Sequence, residues 1–295
     1  MRAARGIVGW RRHLAIAAAL AALITTMGVF TPQPASAASA IETQFKTPGT
    51  WAVTTANVSG TGGSYVLYYP TNVGAGGVDH PIVTWGNGTG ATPSQYSGLL
   101  THLASWGFVV VAHTSGTTGS GVEVLAGANY MVAQNSNASS IFFGKLDTTK
   151  VAALGHSQGA SGATNATVLS GGLIKSTIAF NYPNPTWVDP IHATNWGALT
   201  KPVLLMTGGN DWLISSASGQ TGYYNQIPGP AAKASLKGAG HNTIQGTGGN
   251  YLGYVTAWLM YTLQGNTTAR SAFVGSPPEI NTNTNWQNQA EKNLP

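Results

Sequence analysis

Short apolar runs alternate with helix-patterned stretches from about residue 50 to residue 265, and this alternation is the feature that most limits the fold. "PIVTWG" (81–86), "FVVVAHT" (108–114), "KVAALG" (150–155), "STIAFNYP" (176–183), "PVLLMTGG" (202–209) and "AKASLKGAG" (232–240) read as strands. Most are apolar without a break, which marks strands buried on both faces of a mostly parallel sheet. Helices are expected over 94–107, 122–135 and 251–263, and the small residues after 155 can continue as another. "WAVTTANVS" and "SYVLYYP" form a leading β pair around the turn from Gly60 to Gly63. The expected architecture is α/β, with a mostly parallel central sheet and helices on both faces. Nothing between 183 and 202 is long enough for a large lid, so the cleft should be open.

The first forty residues stand apart from that pattern. Arg2, Arg5, Arg11 and Arg12 precede the uncharged run from Leu14 to Phe30, and "TPQPASAASA" follows with small-residue cleavage sites after Ala37 and after Ala40. That order is a secretory signal, preferred here over a membrane anchor because of the adjacent cleavage sites. Arg11–Arg12 suits the twin-arginine route as well as the general one. Residues 41–265 form the expected catalytic domain and 266–295 a polar C-terminal appendage. Without its leader the chain carries nine Lys and Arg against eight Asp and Glu, so nucleic acid and anionic membrane surfaces are not expected partners. No later run is apolar enough to insert stably in a membrane, and the protein is expected to act as an extracellular monomer. The absence of cysteine excludes disulfides, thiol catalysis and thiolate metal sites. No metal or other cofactor is expected.

"ALGHSQGASG" (153–162) ends an apolar strand and opens a helix, and it holds the chain's one G-x-S-x-G match, centred on Ser157. A serine on such a turn is presented at the carboxyl end of a parallel sheet, where reactive groups gather. It needs a base and an orienting acid, which follow it in the order acid, then histidine. His241, in the glycine-bearing loop "KGAGHNTI", satisfies that order, with His192 as the competitor. Two acids lie between Ser157 and His241: Asp211, at the carboxyl end of "PVLLMTGGND", and Asp189, in a proline-rich loop. Asp211 is preferred on position. Two backbone N–H groups should hold the oxyanion. One belongs to Gln158; the other comes from "GNGTG" (86–90), assigned to Asn87 with Gly88 as the alternative. His156, beside the serine, is expected to point to the cleft rim.

With these residues placed, the chain resembles the α/β-hydrolase fold and, within it, the bacterial cutinase and polyester (PET) hydrolase family, relatives of the dienelactone hydrolases. The resemblance runs from about 48 to 275 and rests on the oxyanion loop with "LASWGFVVV", on "DTTKVAALGHSQGASG", on "PVLLMTGGNDW" and on "GAGHNTI". It implies a Ser157–Asp211–His241 triad, oxyanion donors at Gln158 and Asn87, and a substrate contact at Trp187, whose alternative is ordinary loop packing. Gly88 and His156 are further candidate substrate contacts. The implied activity is hydrolysis of carboxylic esters, including polyesters, through an acyl-enzyme. A small-ester or short-chain lipase activity on the same triad is the nearer alternative, and a non-catalytic secreted binding protein the remoter one. The family usually has an aromatic residue in the oxyanion loop and methionine after the serine; Asn87 and Gln158 imply a more polar cleft.

Overall fold

In a computed structural model, residues 39–188 and 190–295 are described; the leader up to Ala38 and the candidate acid Asp189 lie outside them. The elements are α1 (Ala40–Lys46), β1 (Val53–Gly60), β2 (Gly63–Pro70), β3 (His80–Gly86), α2 (Ser97–Ser105), β4 (Val109–His113), α3 (Val122–Ser136), β5 (Leu146–His156), α4 (Gln158–Leu169), β6 (Ile174–Phe180), β7 (Val203–Gly208), α5 (Ala217–Gln226), β8 (Ala231–Leu236), α6 (Leu252–Gln264), α7 (Thr267–Arg270), α8 (Glu279–Thr282) and β9 (Trp286–Lys292). One sheet holds all nine strands in the order β1-β2-β4-β3-β5-β6-β7-β8-β9. The pairs β3–β4, β3–β5, β5–β6, β6–β7 and β7–β8 are parallel; β1–β2, β2–β4 and β8–β9 are antiparallel. This is the α/β-hydrolase architecture that the strand pattern and the resemblance imply.

The unbroken apolar runs have a direct cause in the packing. Val83, Val110, Ala152 and Leu154 face a core shared with Leu99 and Leu103 of α2 and Trp258 of α6. Their neighbours Ile82, Val109, Val111, Val151 and Ala153 face the opposite core, with Val124 and Met131 of α3 and Ala163 of α4. Alternate residues therefore enter different cores, and a polar side chain among them must find a partner there, as Thr84 of β3 does by donating to the Val124 carbonyl at 2.6 Å. Chain order reverses beside β3, where β4 lies on one side and β5 on the other. A crevice opens at the carboxyl ends of strands at such a switch point.

The C-terminal segment departs from expectation. In place of an irregular appendage, residues 267–292 supply α7, α8 and an edge strand, β9, that pairs antiparallel with β8. The polar "WQNQAEK" sequence of β9 hides its role, because only Trp286 is buried and an edge strand needs little apolar surface. The buried carboxylate of Glu42 on α1 accepts hydrogen bonds from Trp286 Nε1 at 2.8 Å and Asn283 Nδ2 at 2.6 Å. Glu279 returns the link by accepting from the Ile41 and Glu42 N–H groups at 2.8 and 2.9 Å. Two carboxylates thus join the two ends of the described chain without a disulfide.

Replacing Glu42 by Ala strands two buried donors, each worth about 1–3 kcal/mol. Its denaturant midpoint should fall by the equivalent of roughly 2–6 kcal/mol, as read from equilibrium urea unfolding. A midpoint equal to the parent's would show that the link carries no stability.

Candidate active site

Ser157 stands between β5 and α4 at φ 57° and ψ −124°, a conformation that non-glycine residues rarely adopt. Backbone crowding on both sides of it makes the flanking glycines necessary. A Cβ on Gly155 would lie 1.9 Å from the Gly159 carbonyl oxygen, and one on Gly159 would lie 2.1 Å from that of Gly86. The Ser157 N–H donates to the Phe180 carbonyl at 2.9 Å, which anchors the turn to the end of β6.

The three expected side chains converge from three strand ends. Ser157 Oγ lies 2.9 Å from His241 Nε2, and His241 Nδ1 lies 2.6 Å from Asp211 Oδ2. A carboxylate only accepts, so Nδ1 carries the proton and Nε2 presents its lone pair to the serine hydroxyl. Asp211 is buried and also accepts from the Ser215 N–H at 3.2 Å. A second donor to it, Asn181 Nδ2 at 2.6 Å, was not foreseen from sequence. Asn181 directly follows β6, is fully buried and has φ 48°; a polar residue at the carboxyl end of a core strand was its only sequence signal. Burial pushes the Asp211 carboxyl up, but hydrogen bonds from His241 and Asn181, the nearby His241 ring and the Ser215 N–H outweigh it and hold the acid below its ordinary range.

The cleft around Ser157 has a volume of about 390 Å³ and is lined by Gly88, Thr89, Gln158, Trp187, Ile214 and His241 among others. Trp187 lies on a 3₁₀ turn, 56% exposed, with Nε1 donating to the Leu213 carbonyl at 3.1 Å. His192 also lines the cleft, and its carbonyl accepts from Asn165 Nδ2 at 2.8 Å. Gln158 opens α4, so its N–H has no acceptor within the helix. Its side chain turns sideways, and Oε1 accepts from the Thr118 N–H at 3.0 Å beside Gly119.

Two expectations do not match this geometry. Asn87 is fully buried and does not line the cleft; its Nδ2 donates to the His113 and Ser115 carbonyls at 2.6 and 2.9 Å, and its Oδ1 accepts from Trp85 Nε1 at 3.0 Å. Gly88 does line the cleft, but its N–H is directed to Tyr96 Oη at 3.1 Å. The next residue, Thr89, is exposed in the cleft, and its N–H has no hydrogen-bond partner among the described residues. The loop therefore turns toward substrate later than its glycines suggest. His156 does line the cleft, but as a buried residue of its wall and not at an exposed rim. It is 1% exposed, held between Tyr96 Oη at 3.0 Å and the His241 carbonyl at 2.8 Å.

Burial pushes the His156 imidazole down to about 3, with the adjacent His241 adding to the effect. Above pH 6.5 this histidine is neutral folded and unfolded, and contributes nothing to the pH dependence of stability. Below 6.5 the unfolded chain binds a proton that the folded chain refuses until about pH 3, so stability falls through that window. At about 1.4 kcal/mol per unit, His156 should account for roughly 2–3 kcal/mol lost between pH 6.5 and 4.5. Urea unfolding at several pH values should show a shallower acid decline for His156→Phe than for the parent. Equal slopes would contradict the assignment.

Among known proteins, the chain matches the family model described as PETase, PET hydrolase-like, over residues 27–293. It is 28% identical to cutinase est2 of Thermobifida alba across 67% of this chain and 63% of that protein. It is 26% identical to the bis(hydroxyethyl) terephthalate hydrolase of Streptomyces coelicolor across 87% and 85% of the two chains. With cutinase 1 of Thermobifida cellulosilytica it shares 30% identity across 69% and 74%. It thus spans less than two thirds of the first of these relatives and more of the other two.

Proposed function

The chain belongs to the PET hydrolase-like family, and from that premise we propose that it is a secreted serine hydrolase of carboxylic esters. The observation that carries this reading is the continuous hydrogen-bond path from Ser157 Oγ through His241 to Asp211. His241 Nε2 takes the serine proton as Oγ attacks the ester carbonyl, and the Asp211 carboxylate stabilises the imidazolium that results. The tetrahedral oxyanion is held by the Gln158 N–H, aided by the positive end of the α4 dipole, and by the Thr89 N–H in place of Asn87. His241 then protonates the departing alkoxide. Water, activated by the same imidazole, releases the acid and restores Ser157. The site needs no metal for this sequence of steps.

Polyester is the substrate class favoured by the apolar surroundings. Trp187, Ile191, Trp212 and Leu213 are 56, 87, 75 and 55% exposed on the segments that carry or adjoin the acid side of the site. Large apolar side chains left exposed beside a cleft mark a contact surface, and Trp187 and Leu213 are joined here by a hydrogen bond at 3.1 Å, which suits a chain lying on a solid. A second reading, hydrolysis of small soluble diesters, draws support from the terephthalate diester hydrolase, which matches most of this chain.

The two readings separate in one set of assays: nitrophenyl esters of rising chain length, bis(hydroxyethyl) terephthalate, and a polyester film. Erosion of the film is expected alongside cleavage of the soluble esters. Soluble turnover without film products would favour the second reading. Ser157→Ala should lower turnover by roughly 10⁴-fold or more on every substrate. Retained activity in that variant would rule out the acyl-enzyme mechanism for this site.

Export implies removal of the leader, and the described residues favour the cut after Ala37. The Ser39 carbonyl accepts the Thr43 N–H at 2.9 Å, and Ala40 is the first residue of α1. Cutting after Ala40 would discard both. Intact-mass measurement of the exported protein should find Ala38 at its start; Ile41 there would contradict this choice.

A further inference from the structure

The buried pair Tyr96 and His156 is not required by the chemistry above, yet it joins three of the segments that perform it. Its proton positions follow by elimination. The His241 carbonyl can only accept, so His156 Nε2 carries a hydrogen and donates to it at 2.8 Å. A neutral ring with its proton on Nε2 leaves Nδ1 as an acceptor, so the single hydroxyl proton of Tyr96 points to Nδ1 at 3.0 Å. The phenol oxygen is then free to accept, and it does so from the Gly88 N–H at 3.1 Å. Burial pushes the Tyr96 phenol up and keeps it protonated. Gly88 is needed for this approach, since a Cβ there would lie 3.0 Å from Tyr96 Oη and 3.2 Å from His156 Nδ1.

The chain of bonds runs from Gly88 N–H to Tyr96 Oη, on to His156 Nδ1, and from His156 Nε2 to the His241 carbonyl. Gly88 precedes Thr89, His156 precedes Ser157, and His241 is the base itself. We infer that Tyr96 and His156 are positioning residues, a neutral buried relay that holds the oxyanion loop, the nucleophile turn and the histidine loop in one catalytic register. The inference rests on the serine-esterase reading and extends it to two buried residues of the cleft wall that make and break no bond. The relay carries no proton during turnover, because it ends on a main-chain carbonyl rather than on the His241 ring. Its effect is geometric: reacting groups must be held within about 0.5 Å, and a displacement near 1 Å can cost about 10²-fold in rate.

Tyr96→Phe tests this while keeping the ring that packs against Trp85, 4.8 Å away between centroids. Activity should be measured on a soluble nitrophenyl ester and expressed per active site titrated with a nitrophenyl phosphonate, so that loss of folded protein does not count as loss of rate. The expected result is a fall in kcat of about 10-fold or more with KM changed less than about twofold, as misplacement of catalytic groups produces. A second pair of variants reports even if Tyr96→Phe fails to fold. His156→Gln keeps an N–H near the Nε2 position and should recover much of kcat, whereas His156→Leu should not. A merely structural role would lower the melting temperature and leave kcat per titrated site within twofold in Tyr96→Phe, or equal in the two His156 variants. Either result overturns the inference. Ser157→Ala, run alongside, separates the two levels: an inert Ser157→Ala with an unimpaired Tyr96→Phe removes the relay alone, while an active Ser157→Ala removes the reading beneath it.

Discussion

The contact between the backbone of Gly159 and the carbonyls at the end of β3 is the constraint on which the rest of the site depends. An added Cβ at Gly159 would come within 2.1 Å of the Gly86 oxygen and 2.5 Å of the Asn87 oxygen, so helix and strand meet backbone to backbone. That proximity lets α4 start directly beneath the crevice and places the Gln158 N–H beside the Ser157 hydroxyl. It also forces Ser157 into its positive-φ conformation, which costs about 1–3 kcal/mol unless the surroundings impose it. The surroundings here are the flanking strands β3 and β6 and the cores on both faces of the sheet, and the Ser157 N–H is bonded to the end of β6. The strain is thus carried by the sheet around the turn.

The same sheet explains how a chain without cysteine closes its ends. β9 covers the edge of β8, and the Glu42–Trp286 and Glu279–Ile41 hydrogen bonds pin α1 to the segment that leads into it. Lys292 adds a cation–π contact to Tyr224 of α5 at 4.5 Å. Hydrogen bonds that satisfy buried groups can do the work of a covalent link so long as every donor and acceptor in the group is paired. Trp286, Asn283 and Tyr254 all meet Glu42 or Glu279 or one another, which makes the two ends one cooperative unit.

What was legible in the sequence is what depends on local pattern. Strands buried on both faces announce themselves as unbroken apolar runs, and the serine, acid and histidine could be ordered because each follows a strand end. The register of "GNGTG" could not be read in the same way. Where several small residues follow a strand, composition does not say which one reaches the cleft. The answer lies in the bonds from Asn87 to the His113 and Ser115 carbonyls and from Gly88 to Tyr96, all to residues outside the motif. Asn181 and His156 were illegible as partners for a related reason. Their roles exist only through hydrogen bonds to segments 30 and 85 residues away. β9 was hidden by polarity, since an edge strand that buries one tryptophan has almost no periodic signature.

Two histidines whose ring centroids are 4.8 Å apart pose an electrostatic problem that the structure solves by burying one of them. In the proposed reaction His241 becomes an imidazolium at each proton transfer. A second positive charge at that distance would oppose it by about 3–4 kcal/mol at an effective dielectric constant near 20. Such a penalty would offset much of what Asp211 contributes on the other side of the ring. Full burial of His156 removes the difficulty, because the cost of desolvating its cation keeps the ring neutral down to about pH 3. Its polarity is then expressed only as two directed hydrogen bonds, one received from a phenol and one given to a carbonyl. Asp211, buried as well, is treated oppositely: three donors reach its carboxylate, and the acid stays ionised. Burial opposes charge on both groups, and only Asp211 has donors enough to outweigh it, so it alone keeps a charge near Ser157.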